Sequence, residues 1–336
     1  MKNWHWPWLT LASMAAAAST WAADTLPAPA ATPRAVAPGV WMIPGGMRPD
    51  RQPDGNSVVF DAPAGLTVVD SGRHAWHRDA ILDLARTQKK NVAAIVNTHW
   101  HLDHVSGNPA LRAAYPDLRV YASDAIDGAL RGFLAKSALD SAAYLEDSTL
   151  AADMRDDIRG DVATIQAGQA LKPDTVIAAS GPVMLGGREL TIHLARDAVT
   201  AGDVWAYDEK NRLAVLGDLV TLPAPFLDTA CPAGWKSALQ QVAATEFEVV
   251  IPGHGDPMNR AQFLLYQDAF DAFIGCANSA RPQQECATQW TDSVQSLLSR
   301  DPRERPLAMG LANYYIGMLR DQGGRSQYCE SAARVP

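Results

Sequence analysis

The stretch Val92-Ala93-Ala94-Ile95-Val96-Asn97-Thr98-His99-Trp100-His101-Leu102-Asp103-His104 decides the fold, because an apolar run leads straight into four side chains able to hold a metal. Residues 92–96 read as a buried strand: short, apolar and partly β-branched. A strand ending in His-x-His-x-Asp-His brings neutral imidazoles and one carboxylate to a single loop, the mixture that suits zinc and similar borderline cations. The chain carries 8 histidines in all. Three of them within one loop is a concentration that scattered packing histidines do not explain, so the cluster reads as a metal site.

Working outward, short β-type runs at 40–43, 57–60 and 66–69 precede the cluster, the last ending at Asp70-Ser71-Gly72. A helix pattern over 78–88 follows, with Ile81, Leu82, Leu84 and Ala85 at helical spacing. Strand, helix, strand with ligands at a strand's carboxyl end is an α/β layout. Residues 123–177 break that rhythm with helical patterns at 125–135 and 145–166; this insertion either lies over the site or covers a sheet face. Strand patterns return at 189–194, 203–207 and 212–216, the last ending at Gly217-Asp218. A helix near 235–245 and a strand at 248–251 then lead to Pro252-Gly253-His254-Gly255. Helices near 261–274, 288–298 and 307–320 close the chain.

The 336 residues are 47% hydrophobic, ample for a substantial core. Residues 1–22 depart from the rest: Lys2, an alanine-rich apolar stretch at 9–18 and Thr20-Trp21-Ala22 form a secretory signal peptide cleaved after Ala22. The apolar stretch is too short to span a bilayer comfortably, which disfavours a retained anchor. The mature protein is therefore expected to be periplasmic or secreted, without a stable membrane span. Residues 23–38 form a Pro- and Ala-rich tether that need not fold. Loss of Lys2 moves the formal charge from -8 to -9; with no clustered Lys and Arg, nucleic acid is excluded as a partner. Cys231, Cys276, Cys286 and Cys329 are paired as Cys276 with Cys286 and Cys231 with Cys329, disulfides that export permits; four reduced buried thiols are the alternative. The organisation expected is a domain over 39–275 and a helical, disulfide-bonded C-terminal extension over 276–336.

Three strand ends thus supply ligand types: the cluster at 99–104, Asp218 and His254. With Val-Asp-Ser-Gly at 69–72 and Pro-Gly-His-Gly at 252–255, the chain resembles the metallo-β-lactamase superfamily over residues 36–273. The resemblance implies a four-layer αββα sandwich holding one or two metal ions at one edge of its sheets. It implies that His99 and His101 bind one ion, that Asp103, His104 and His254 bind the second, and that Asp218 bridges both. A metal-bound hydroxide would be the nucleophile and Asp103 would orient it. Zinc is the expected ion, with iron and manganese left open. Asp70 is either an outer residue that holds a histidine ring or a turn-former before Gly72.

One position departs from the family pattern. Where relatives carry a further histidine ligand, Asp197-Ala198-Val199-Thr200-Ala201-Gly202-Asp203 places Val199. Three outcomes follow: the first site survives on His99, His101 and Asp218 with water, Asp197 substitutes from the same face of an extended strand, or only the second site fills. His74, His77 and His193 are not counted as ligands. Trp100, Pro223, Pro225 and Phe226 either line an apolar substrate mouth or pack loops.

The function these readings imply is an exported metal-dependent hydrolase of a small-molecule ester, thioester, lactone or amide, resembling glyoxalase II-like or quinoprotein-associated members of the family. β-Lactamase activity is the alternative, although Asp218 argues against a dedicated β-lactamase. A non-catalytic metal-binding accessory protein is the other alternative, on the strength of Val199. No protein partner is legible.

Overall fold

The computed structural model describes residues 31–47 and 51–330, so the expected signal peptide at 1–22 and half of the expected tether lie outside the described residues. The first sheet runs in chain order: β1 (Arg34–Ala37), β2 (Val40–Ile43), β3 (Ser57–Ala62), β4 (Gly65–Val69), β5 (Val92–Val96), β6 (Arg119–Ala122) and β7 (Thr175–Val176). Its first four strands are antiparallel, and from β4 onward the pairs are parallel. The switch follows from α1 (Ala75–Gln88), a crossover that returns the chain in the same direction. β1 falls inside the stretch read as tether, because Val36 and Ala37 pack against the sheet interior while β2 supplies the backbone pairing.

After β5 come the single-turn α2 (Leu102–Val105), made by the ligand cluster itself, and α3 (Asn108–Ala114). The insertion between β6 and β7 holds α4 (Ala125–Arg131), α5 (Phe133–Leu145) and α6 (Ala152–Gln166). The two helices expected there become three, because Gly132 leaves helical geometry at φ -112°, ψ -102° and a turn at 146–151 interrupts the second. The insertion lies over the site: Ile126, Ala129 and Leu134 pack on Trp100 and Leu102 of the ligand loop.

The second sheet has the order β13-β12-β11-β10-β9-β8, from β8 (Gly181–Leu185), β9 (Arg188–Arg196), β10 (Gly202–Asp208), β11 (Leu213–Val215), β12 (Val249–Ile251) and β13 (Met258–Asn259). The sheets face each other through Val58, Phe60, Val69 and Val96 on one side and Ile192, Val204, Val215 and Ile251 on the other. Alternate residues of the first sheet, among them Val59, Val68 and Ile95, turn outward to Ile81, Leu84 and Ala85 of α1. The outer face of the second sheet meets α7 (Pro232–Ala243), α8 (Arg260–Ala277), α9 (Gln283–Ser293) and α10 (Glu304–Asp321) through Trp235, Phe270, Trp290 and Tyr315. Helix, sheet, sheet and helix form the four expected layers. The C-terminal helices form the expected helical extension and share one apolar cluster with the second sheet. Both disulfides are present as paired: Cys276–Cys286 joins α8 to α9, and Cys231–Cys329 ties the start of α7 to the chain beyond α10. Among the described residues no helix is long and apolar enough to cross a membrane.

Candidate metal centre and substrate cavity

β4 ends at Asp70, whose backbone is left-handed (φ 60°) and whose carboxylate turns toward the end of neighbouring β5. Its Oδ1 accepts the Thr98 backbone N–H at 2.8 Å, and its Oδ2 accepts the Thr98 hydroxyl at 2.7 Å and His104 Nδ1 at 2.8 Å. Because the Thr98 hydroxyl donates its proton to Asp70, it accepts from His99 Nδ1 at 2.9 Å. His99 and His104 are therefore protonated on Nδ1 and keep the Nε2 lone pair free. His101 is fixed with the opposite nitrogen. The Thr229 hydroxyl donates to the Val199 carbonyl at 2.8 Å and accepts from His101 Nε2 at 3.0 Å, which leaves Nδ1 facing Asp218 at 3.9 Å.

Asp218 follows β11 on the tight turn Gly217–Leu219. Gly217 is left-handed (φ 51°), and a Cβ there would meet Thr98 Oγ1 at 2.4 Å; at Gly253 it would meet Asp218 Oδ1 at 2.1 Å. Glycine at both positions lets the three ligand loops close on one another. Asp218 Oδ2 lies 3.6 Å from His99 Nε2, while Oδ1 lies 3.2 Å from His104 Nε2 and 3.5 Å from His254 Nε2. Asp103 Oδ2 sits 3.0 Å from His254 Nε2 and 3.7 Å from His104 Nε2. Two groups converge with ligand atoms within 4.8 Å of one another: His99, His104 and Asp218; and Asp103, His104 and His254.

Buried polar atoms are ordinarily paired, yet among the described residues His99 Nε2, His104 Nε2 and Asp218 Oδ1 are buried without a hydrogen-bond partner. Lone pairs that converge in this way fit a cation. Electrostatics agree: burial resists ionisation of Asp218, but His104, His254 and His99 hold its carboxyl well below the usual carboxylate range. Burial likewise opposes charge on His104, and Asp218, Asp103 and Asp70 overcome it, raising that imidazole well above its ordinary value, so the same carboxylates that favour a proton on Nε2 would favour a metal cation in its place. His99 moves the other way, lowered first by burial and then by neighbouring His104 and His101.

Asp197 does not join either group. Its backbone is left-handed (φ 51°), which ends β9 and removes the extended geometry on which its role as a substitute ligand depended. Val199 is fully buried in the apolar cluster around Trp235. His77 hydrogen-bonds Ser57 at 2.8 Å, and His193 stacks on Trp205 at 3.7 Å; neither contributes to the converging groups.

A buried polar scaffold that the sequence reading missed surrounds the ligands. Arg73 stands 3.8 Å from Asp103, pairs with Asp161 of α6 and donates to the Pro53 carbonyl at 2.9 Å. His74 lies between Asp54 (2.6 Å) and Asp157 of α6 (3.1 Å), and Asp157 also accepts from Arg51 Nε at 2.9 Å. Asp157 and Asp161 are four residues apart on one helical face, a spacing that was legible; Thr229 left no signal at all. Above the ligands opens a cavity lined by Arg73, Asp103, His101, Asp218 and His254 on its polar side and by Trp100, Phe133, Phe226 and Tyr315 on its apolar side. Of the four expected mouth residues, Trp100 and Phe226 line it and Pro223 and Pro225 do not.

Residues 51–254 match the family described as the Metallo-beta-lactamase superfamily. The linear primary-alkylsulfatase of a Pseudomonas species is 25% identical over 227 residues, 60% of this chain and 41% of that protein. The hydroxyacylglutathione hydrolase of Haemophilus ducreyi is 40% identical over 45 residues, 13% of this chain and 19% of that protein. The chain thus spans less than half the length of these curated relatives. Among solved structures, a stereoselective inverting sec-alkylsulfatase from a Pseudomonas species superposes with a TM-score of 0.59 at 18% identity, over 91% of this chain and 52% of that one.

Proposed function

Because this chain belongs to the metallo-β-lactamase superfamily, we propose that it is an exported metal-dependent hydrolase that cleaves a small-molecule ester, in which we include thioesters, lactones and sulfate esters. The observation that carries the reading is the convergence of unpaired, buried His99 Nε2, His104 Nε2 and Asp218 Oδ1 beside an open cavity that Asp218 lines together with His101, Asp103 and His254. Zinc is the ion proposed, and His99, His101 and Asp218 on one side and Asp103, His104, His254 and Asp218 on the other would hold it. When bound, such a cation lowers the pKa of water toward neutrality and polarises the bond under attack. The residues supply the rest. Asp103 faces the cavity and accepts a proton or orients water there, held by His254 and by Arg73. Asp70 and Thr229 fix the rings, and Trp100 and Phe226 exclude water from the apolar side of the cavity. Sulfate esters join the substrate class on the strength of the alkylsulfatase relative, and export is supported by the two disulfides.

Turnover of a panel of carboxylic, thio- and sulfate esters, lactones and β-lactams by zinc-loaded protein tests this reading, with Asp103→Asn alongside. The expected result is hydrolysis of at least one ester class that falls about 100-fold or more in the variant while its fold persists. Metal uptake without turnover of any substrate would instead favour the accessory role.

A further inference from the structure

Two runs of ring contacts leave His101 and end at the same place. One passes from Trp100 (4.7 Å between ring centres to His101) to Phe133 (5.6 Å) and on to Tyr328 (5.2 Å). The other passes from Phe226 (4.9 Å to His101) to Tyr315 (6.0 Å) and on to Tyr314 (5.1 Å). The first four rings beyond His101 line the main cavity. Tyr328 and Tyr314 line a second recess, and Phe133, Ser137 and Tyr144 border both spaces. At the recess wall stands the half-buried carboxylate of Asp228, which accepts the Tyr315 hydroxyl at 3.1 Å and the Tyr314 hydroxyl at 3.4 Å. The cation of the recess, Lys136, is committed to Asp140 at 2.5 Å. Among the described residues no lysine or arginine forms an ion pair with Asp228, and no charged side chain lowers its pKa.

We propose that this recess is a subsite for a cationic group, an alkylammonium or quaternary ammonium, carried at the far end of the substrate from the bond that is hydrolysed. The inference rests on the hydrolase reading and narrows its substrate to an ester with an apolar middle and a positively charged head. Ring faces attract alkylammonium ions more strongly than neutral groups of the same shape. A carboxylate that lacks a counter-ion adds Coulomb attraction in a half-buried recess. The rings between the two ends suit a flat or aliphatic middle. The extra residues that build the recess come from α5, α10 and the segment around Tyr328, outside the ligand loops.

The test is calorimetric binding of 4-phenylbutylamine, protonated at pH 8, and of neutral 4-phenylbutanol to metal-chelated and zinc-loaded protein, for wild type, Asp228→Asn and Tyr328→Leu. The amine is expected to bind saturably and about tenfold more tightly than the alcohol, and that preference should shrink to within about threefold in each variant. Equal binding of amine and alcohol to wild type would overturn the proposal, as would a preference that survives both variants. Circular dichroism confirms folding, and if Asp228→Asn does not fold the decision passes to Tyr328→Leu. Binding to chelated protein needs no turnover, so a cation preference without hydrolysis would sink only the hydrolase reading. Hydrolysis without a cation preference would sink only the subsite.

Discussion

At the scale of residues, the ligands were legible because metal chemistry restricts both residue type and spacing, and the supporting groups were not because hydrogen bonds tolerate many alternatives. Asp70 shows the difference. The sequence placed it at a strand end; only the fold shows it binding Thr98 and His104 together. Asp70→Asn is expected to keep the fold and weaken zinc binding 10- to 100-fold, read by competition with a chromophoric chelator; unchanged affinity would reduce Asp70 to a turn-former. Asp228 makes a prediction about pH. Burial pushes its carboxyl up to about 7, against the opposing pull of the Tyr315 and Tyr314 hydroxyls. The folded chain therefore holds a proton that the unfolded chain loses near pH 4, so stability falls as pH rises from about 4 to 7 and then levels. The full effect is on the order of 2–4 kcal/mol. Asp228→Asn should flatten that part of a melting-temperature profile, and an unaltered profile would refute the assignment.

At the scale of elements, period-2 and apolar runs located the strands that carry the ligands, because buried strands admit few residue types. Edges and breaks were harder to read. β1 emerged from the tether because backbone pairing with β2 needs little from its side chains, and α9 begins five residues earlier than its pattern suggested. The insertion was found without its attachment. α6 is held over the cavity by Asp157 against His74 and Arg51 and by Asp161 against Arg73, all largely buried. Removing Asp157 leaves buried cationic partners uncompensated, so Asp157→Ala should destabilise the chain by roughly 3 kcal/mol. Limited proteolysis should then cut first within the turn at 146–151. Cleavage elsewhere, or none beyond wild type, would show that the helix is held by other contacts.

For the whole molecule, the metal is expected to act as a bolt between the sheets, since His99, His101, Asp103 and His104 follow β5 of one sheet while Asp218 and His254 follow β11 and β12 of the other. Saturating zinc about 100-fold above its dissociation constant contributes roughly 3 kcal/mol. Chelation should accordingly lower the melting temperature by about 5 °C or more in calorimetry. A melting curve indifferent to chelator would mean that zinc is not bound there.

The disulfide between Cys231 and Cys329 spans 98 residues, and the bond between Cys276 and Cys286 spans 10. Short loops close at far lower entropic cost and far sooner than long ones. In an oxidising environment Cys276 and Cys286 would therefore cap one another faster than either captures Cys231. The residue thus spared lies two positions beyond Thr229, the hydroxyl that steadies His101, and its eventual partner adjoins Tyr328 of the recess wall. If the chain is exported, the order in which the two bonds form would thereby govern whether its ligand support and its recess are joined.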